Sequence, residues 1–232
     1  MSPLDLMRRR SAPLRLVIFD CDGVLVDSEP VSNRILAEDL SARGWVISAE
    51  EATRRFIGTT LRDMRPLIEA RLQRELPGTW GDEVTQRIVD ALAVESLPIP
   101  GAIEALRAVT AMGMPWRIAS NSSHPEMRAK FDRIGIADLV AGRVHSHTDV
   151  AAGKPEPDLF LAAAAAEGVS PSECVVIEDS VPGVRAARAA GMDCLGFAPH
   201  SDGSALLAHG AAPFRAMADL PNLIQAARRR AA

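Results

Sequence analysis

The sequence predicts an α/β fold: a parallel sheet with helices on both faces, interrupted after its first strand by a small all-helical segment. Three observations predict it. Leu14 to Phe19 is a compact apolar run with β-branched Val17 and Ile18, ended at once by Asp20, as expected of a buried central strand. From Val31 to about Ser96 the texture changes, with apolar residues at helical spacing and strand-like runs nearly absent. After Pro98-Ile99-Pro100-Gly101, short β runs alternate with helical ones as far as Phe197.

In order, the middle segment shows Ile35, Leu36 and Leu40, then Met64, Leu67, Ile68 and Leu72, at i, i+3 and i+4 offsets. Pro77-Gly78 and Gly81 divide it into separate helices. Beyond the Pro98–Gly101 boundary, Ile103 to Ala111 reads as a helix and Trp116 to Ala119 as a strand. Glu126 to Ile134 reads as a helix stopped by Gly135, and Arg143 to His145 as a strand. Pro157 to Gly168 is an alanine-rich helix, Cys174 to Ile177 a strand, Pro182 to Ala190 a helix ended by Gly191, and Asp193 to Phe197 a strand. The expected division is a core of residues 1–27 and 97–232 with a helical insert, 28–96. An insert just after the first strand overhangs the carboxyl ends of the strands, where open parallel sheets bind ligands.

Composition narrows the function. The chain has 232 residues, 47% hydrophobic and 24% charged, with a net charge of −4. That is ordinary globular composition without the basic footprint of a nucleic-acid binder. Arginines cluster at Arg8 to Arg10 and Arg228 to Arg230, and both runs read as solvated tails. Residues before Leu14 lie outside every motif and are expected to be disordered. No run approaches the roughly 20 apolar residues of a membrane span, and no targeting segment is convincing. Three cysteines without metal-ligand spacing fit free thiols in a reducing cytoplasm. A monomer is the favoured state.

Four short segments carry the chemistry, each beside a core element. Asp20-Cys21-Asp22-Gly23 follows the first strand: one carboxylate can attack as a nucleophile while its neighbour moves protons, and Gly23 permits the turn. Ser120-Asn121-Ser122-Ser123 follows another strand, and its hydroxyl and N–H groups can cradle a phosphate. Gly153-Lys154-Pro155-Glu156-Pro157-Asp158 places a lysine in a stiff turn opening a helix. Glu178-Asp179-Ser180 sets adjacent acids beyond a hydrophobic strand, an arrangement that makes sense if a hard cation lies between them and Asp20. Each alone also reads as a plain turn, helix cap or surface lysine. Together they are the parts needed for phosphoryl transfer to a carboxylate.

The set resembles the haloacid-dehalogenase-like superfamily, and more closely its β-phosphoglucomutase-like branch of phosphatases. Asp20-x-Asp22-Gly23-x-Leu25-x-Asp27-Ser28-Glu29 is similar to the first family motif, Ser120 to the second, Lys154 in Gly-Lys-Pro-x-Pro-Asp to the third, and Glu178-Asp179-Ser180 to the fourth. The resemblance covers about Leu16 to Phe197. It implies a Rossmann-like core with a helical cap hinged near Asp27-Ser28 and Leu97-Pro98. It implies Asp20 as a nucleophile forming an aspartyl-phosphate and Asp22 as the proton donor and acceptor. Ser120, Asn121 and Lys154 would hold the phosphoryl oxygens. Mg2+ would sit on Asp20, the Asp22 carbonyl, Asp179 and Glu178. The substrate would be a small phosphorylated metabolite, a sugar phosphate.

Gly58-Thr59-Thr60-Leu61-Arg62-Asp63 resembles the family's specificity loop, with Thr59 and Arg62 as candidate substrate contacts. The histidine and arginine that mark the mutase are matched here by Ser32 and Leu61, with Arg62 one place off, so simple hydrolysis is favoured over a β-phosphoglucomutase-type mutase. A silent phosphate-binding protein would show damage in a motif, and none is damaged. Cys21 reads as a small buried residue, His124 as a helix-start surface residue, and Trp45, Trp80 and Trp116 as packing. A His145–His147 metal pair lacks a third ligand.

Overall fold

The computed structural model describes residues 2–56 and 59–228. In chain order the elements are α1 (Pro3–Arg9), β1 (Leu16–Phe19), β2 (Val26–Asp27), α2 (Glu29–Ala42), α3 (Ala49–Phe56), α4 (Leu61–Leu72), α5 (Trp80–Glu95) and β3 (Leu97–Pro98). There follow α6 (Ala102–Ala111), β4 (Trp116–Ser120), α7 (His124–Arg133), α8 (Ala137–Val140), β5 (Val144–Ser146) and α9 (Asp158–Ala166). The last are β6 (Cys174–Glu178), α10 (Val181–Ala189), β7 (Asp193–Phe197), α11 (Ser204–Ala208), β8 (Ala212–Phe214) and α12 (Leu220–Arg228).

Six strands form one sheet in the order β5-β4-β1-β6-β7-β8, every pair parallel. A parallel sheet covered on both faces needs apolar side chains on both, which is why β1 and the apolar part of β6 carry no alternation. Alternate residues part between two cores: Val17, Phe19, Trp116 and Ile118 face one, and Leu16, Ile18, Ala119 and Val176 the other. The chain enters at β1 and later places β4 on one side and β6 on the other, so the sheet's switch point lies at β1.

Helices α2 to α5 bury a hydrophobic cluster of their own, centred on Leu40, Ile68, Trp80, Val84 and Leu92. A buried carboxylate, Asp39, fixes that cluster by accepting from Trp80 Nε1 at 2.8 Å and Arg43 Nε at 2.7 Å. The two ends of the helical segment meet: β2 and β3 pair antiparallel, with Val26 opposite Pro98 and Asp27 opposite Leu97. The expected hinge positions therefore lie side by side. Among the described residues no helix is long and apolar enough to cross a membrane.

The structure corrects the sequence at both ends. The first strand begins at Leu16, two residues after the expected Leu14. Residues before it are not disordered. Helix α1 is capped by Ser2, buries Met7 and packs on α12, because Leu4, Leu6 and Met7 give it an apolar face. Arg8 and Arg9 are exposed as expected, but Arg10 is not a solvated residue. Its guanidinium pairs with Asp193 and donates to the carbonyls of Cys174 at 3.0 Å and Ser172 at 2.8 Å. The side chains of Arg228 to Arg230 lie outside the described residues. Beyond Phe197 the sequence hid a sixth strand: β8 contains Pro213, which is tolerated because β8 is an edge.

Arg10→Ala removes three acceptors' partner at a site where the arginine side chain is 3% exposed. Urea unfolding will show a loss of about 2 kcal/mol with an unchanged slope.

Candidate active site

Strands β4, β1 and β6 are adjacent and parallel, so their carboxyl ends open on one edge of the sheet. Asp20 follows β1, Ser120 ends β4 and Glu178 ends β6. The topology alone thus brings together three side chains separated by up to 158 positions in sequence. Lys154 joins them from the loop before α9. Asn121 fixes that loop, accepting from the Lys154 N–H at 2.9 Å and donating to its carbonyl at 3.0 Å. The Lys154 ammonium lies 2.8 Å from Asp20 Oδ1 and 2.8 Å from Glu178 Oε1. Glu178 is fully buried and also accepts from the Ser180 N–H at 2.7 Å and hydroxyl at 2.9 Å. Asp20 Oδ1 accepts from the Cys21 N–H at 2.7 Å.

Three glycines make room for this packing. A Cβ on Gly23 would lie 1.9 Å from Asp179 Oδ2, one on Gly183 1.7 Å from Glu178 Oε1, and one on Gly153 2.7 Å from Asn121 Oδ1. Gly23 also has φ of +73°, a conformation that side chains disfavour.

Asp20, Glu178 and Asp179 each offer an oxygen within 4.8 Å of the others, and among the described residues they are the one group of three or more acidic, His or Cys side chains so placed. Burial is the largest influence on Asp20 and pushes its carboxyl well above the usual range; Lys154 opposes, and Glu178, Asp179 and Asp22 add to the rise. Burial and then the Glu178 charge raise Asp179 in the same sense. Burial works against Glu178 too, but the Lys154 charge and hydrogen bonds outweigh it and hold Glu178 below its ordinary value.

Asp22 has a different environment. One oxygen accepts from the Lys130 ammonium at 2.5 Å and from the Ser28 hydroxyl, the other from Ser122 at 2.7 Å and Ser120 at 3.2 Å. Burial opposes its ionisation, yet the Lys130 charge and the hydrogen bonds from Lys130, Ser28 and Ser122 bring it down to about 2. Its side chain turns toward α7 and the start of α2, not toward the acidic trio. Lys130, with its side chain 2% exposed, is the residue that sequence reasoning missed. The signal was there: Met127, Lys130 and Phe131 form one buried helical stripe, and a lysine within it demands a buried partner.

Two cavities meet at Asp22. One, of about 630 Å³, is lined by Asp20, Asp22, Ser120, Asn121, Lys154 and Asp179. The other, of about 250 Å³, lies under the helical insert and is lined by Asp22, Ser32, Asn33, Thr59 and Lys130 among others. Thr59 thus stands where a substrate contact was expected. Arg62 does not: it is exposed on α4 and lines neither cavity, because the α4 face that packs inward carries Leu61, Met64 and Ile68. Gly58 of the same loop lies outside the described residues. Cys21 is buried, its thiol raised by burial and then by the Asp22 charge. His124 is an exposed partner of Asp149 at 2.8 Å. His145 ends no metal pair, since His147 leaves β5 in a turn. Trp45, Trp80 and Trp116 are all buried.

A protein-family model described as haloacid dehalogenase-like hydrolase matches residues 14–191. The 6-phosphogluconate phosphatase of Escherichia coli (strain K12) is 28% identical over 214 residues, spanning 92% of this chain and 96% of its own length. A HAD-family hydrolase from Deinococcus radiodurans R1, solved with bound phosphate and sodium, is 33% identical with a TM-score of 0.76, covering 93% of this chain and 97% of that one. A candidate β-phosphoglucomutase from Thermotoga maritima is 28% identical with a TM-score of 0.75, covering 91% and 99%.

The glycine clearances give a paired test. Gly183→Ala drives a methyl into the Glu178 carboxylate and will lower stability by about 2 kcal/mol in urea unfolding. Gly81→Ala, with open space around it in α5, will instead raise stability by about 0.5–1 kcal/mol.

Proposed function

The chain belongs to the haloacid dehalogenase-like hydrolase family, in its β-phosphoglucomutase-like branch, and within it we propose a metal-dependent phosphatase that hydrolyses a small sugar phosphate through an aspartyl-phosphate on Asp20. The observation that carries this reading is the meeting of the Asp20 carboxylate with the Lys154 ammonium, 2.8 Å apart, at the floor of a cavity that Ser120 and Asn121 also line. That is an attacking oxygen beside the donors that a transferring phosphoryl group needs.

The donor set fits a hard divalent cation. Asp20, Asp22, Glu178 and Asp179 set four carboxyl groups against two ammonium groups, Lys130 and Lys154, so a bound cation would favour the ionised form of Asp20 and Asp179. Asp20, Asp179 and the Asp22 carbonyl, with Glu178 beside them, would hold Mg2+. Bound there it would offset the repulsion between the attacking carboxylate and the anionic ester.

Asp20 attacks phosphorus in line, and the ester P–O bond breaks as the Asp20–phosphorus bond forms. The leaving oxygen takes a proton from Asp22. Water then attacks the phosphorus, giving a proton to Asp22, and the Asp20 carboxylate is released with inorganic phosphate. Lys154, Ser120 and the Asn121 N–H hold the three non-bridging oxygens throughout. In the resting arrangement Asp22 is ionised and accepts four bonds, so it stands ready as the base of the second step. Serving as the acid of the first step requires Asp22 first to take up a proton from water, for which one of its donors must withdraw.

Hydrolysis is favoured over mutase chemistry by the second cavity. A mutase must hold a second phosphate there. Among the described lining residues the only lysine or arginine is Lys130, already committed to Asp22. The same shortage disfavours acidic sugars relative to neutral ones; Ser32, Asn33, Thr53 and Thr59 suit hydroxyl groups. The 6-phosphogluconate named for the E. coli relative is thus a less fitting substrate here than a neutral hexose or hexitol phosphate. Three buried free cysteines suit the reducing cytoplasm.

Phosphate release from a panel of fructose 1-phosphate, glucose 6-phosphate, glycerol 3-phosphate and 6-phosphogluconate tests this. We expect release with Mg2+, loss on chelation and recovery on re-addition. Neutral esters should exceed 6-phosphogluconate in kcat/KM by about 10-fold, the worth of one uncompensated charge near 1.4 kcal/mol. Asp20→Asn should lower turnover by at least about 10³-fold. Interconversion of hexose phosphates with a bisphosphate primer, in place of release, would sink the hydrolase reading.

A further inference from the structure

We propose that Lys130 is a positioning residue for the leaving-group proton, fixing the Asp22 carboxylate on the side of the site that faces the helical insert. The inference rests on the phosphatase reading of Asp20 and Asp22 and adds a residue that no family motif carries.

The geometry is specific. Lys130 reaches from the buried face of α7 with its ammonium 2.5 Å from Asp22 Oδ1 and 2.8 Å from Ser122 Oγ, while Ser122 itself donates to Asp22 Oδ2 at 2.7 Å. Lysine, serine and carboxylate therefore close a triangle in which both Asp22 oxygens are held. A lysine with only 2% of its side chain exposed loses rotamer freedom and hydration, and nothing about packing requires it: the neighbouring stripe residues Met127 and Phe131 are apolar. Lys130 lines the insert-side cavity but not the larger one with Asp20 and Lys154. Asp22 lines both. The pull of Lys130 is thus directed toward the space under the insert, where the departing alcohol would lie, and away from the acidic trio. Without it Asp22 would retain only hydroxyl donors, one of them from Ser28 at the edge of the insert.

A Lys130 that acted only through its charge would hold Asp22 ionised, so its loss would not slow esters whose leaving group needs a proton; a positioning Lys130 predicts the opposite sign. The two roles separate by leaving group. Departure of p-nitrophenolate needs no proton, whereas departure of a sugar alkoxide does. The ratio kcat/KM reports only the steps up to that departure, so the later hydrolysis of the phosphoenzyme does not enter. With Lys130→Met we expect kcat/KM for the fastest neutral sugar phosphate among fructose 1-phosphate, glucose 6-phosphate and glycerol 3-phosphate to fall about 100-fold. For p-nitrophenyl phosphate it should fall less than about 3-fold, so that the ratio between the two esters is the readout. Lys130→Arg should recover most of the selective loss. Ser122→Ala, which leaves the buried charges paired, should show the same selectivity at about 10-fold and carries the test if Lys130→Met does not fold. Equal losses on both esters in an active protein, or no loss on either, would overturn the role of Lys130 alone. A wild-type protein silent on both esters would overturn the phosphatase reading and this inference with it.

Discussion

Four carboxylates stand at one end of a parallel sheet with two ammonium groups among them, and most of the surrounding structure answers to that imbalance. Burying charge is costly unless each charge is paired and its remaining lone pairs are bonded. Glu178 is therefore bonded on both oxygens, by Lys154 and by Ser180. Gly23 and Gly183 lack side chains because the space a Cβ would fill is occupied by carboxylate oxygens. Lys154 lies against the Phe160 ring at 4.9 Å, which leaves its ammonium free to face the two acids it bridges. What these groups do not balance is the pair Asp20 and Asp179, whose carboxyls are both driven upward by burial and by neighbouring charge. The three acids Asp20, Glu178 and Asp179 are placed so that they could hold a metal ion.

The parallel sheet supplies the place. Only where neighbouring strands run the same way do their carboxyl ends share an edge, and only at the switch point do the loops diverge enough to leave a cleft. The helical segment departs from that edge and returns to it through one small antiparallel pair, β2 with β3. It carries its own hydrophobic cluster, so its packing does not depend on the sheet. Contact with the core runs chiefly between α5 and α7, where Arg133 Nε donates to the Val94 carbonyl at 2.7 Å.

The parts legible in the sequence are those whose physics is local. Asp20, Ser120 and Glu178-Asp179 each end or follow an apolar strand, and Lys154 sits in the Gly-Lys-Pro turn that opens α9, so residue type and position coincide within a few residues. The central strands were legible for the same reason. Lys130 was not, because its meaning depends on Asp22, 108 positions earlier, and its own neighbourhood reads as an ordinary helix. Helix α1 and the pairing of Arg10 with Asp193 were hidden in the same way, by a partner 183 positions on. Strand β8 was hidden by its proline, which signals a turn unless the strand is known to be an edge. Arg62 lies exposed on α4, on the face turned away from Met64 and Ile68.

Asp20 and Asp22 are two residues apart and are driven in opposite directions, one upward by burial, the other down to about 2 by the Lys130 charge and by hydrogen bonds from Lys130, Ser28 and Ser122. Taken alone these directions run against a nucleophilic Asp20 and an acidic Asp22; a cation beside Asp20 would bring its carboxyl back down, and Asp22 stands first as a base. The four donors to Asp22 do not come from one rigid piece. Ser120 and Ser122 belong to the end of β4 and Lys130 to α7, both in the core, whereas Ser28 immediately precedes α2 and sits next to β2. A displacement of the insert would reach Asp22 through Ser28, and would reach α7, which carries Lys130, through its contact with α5. A carboxylate held by both sets is fixed; one held by the core set alone keeps its place and gains a free lone pair toward the insert. In the proposed mechanism Ser28 would thus tie the state of Asp22 to the insert.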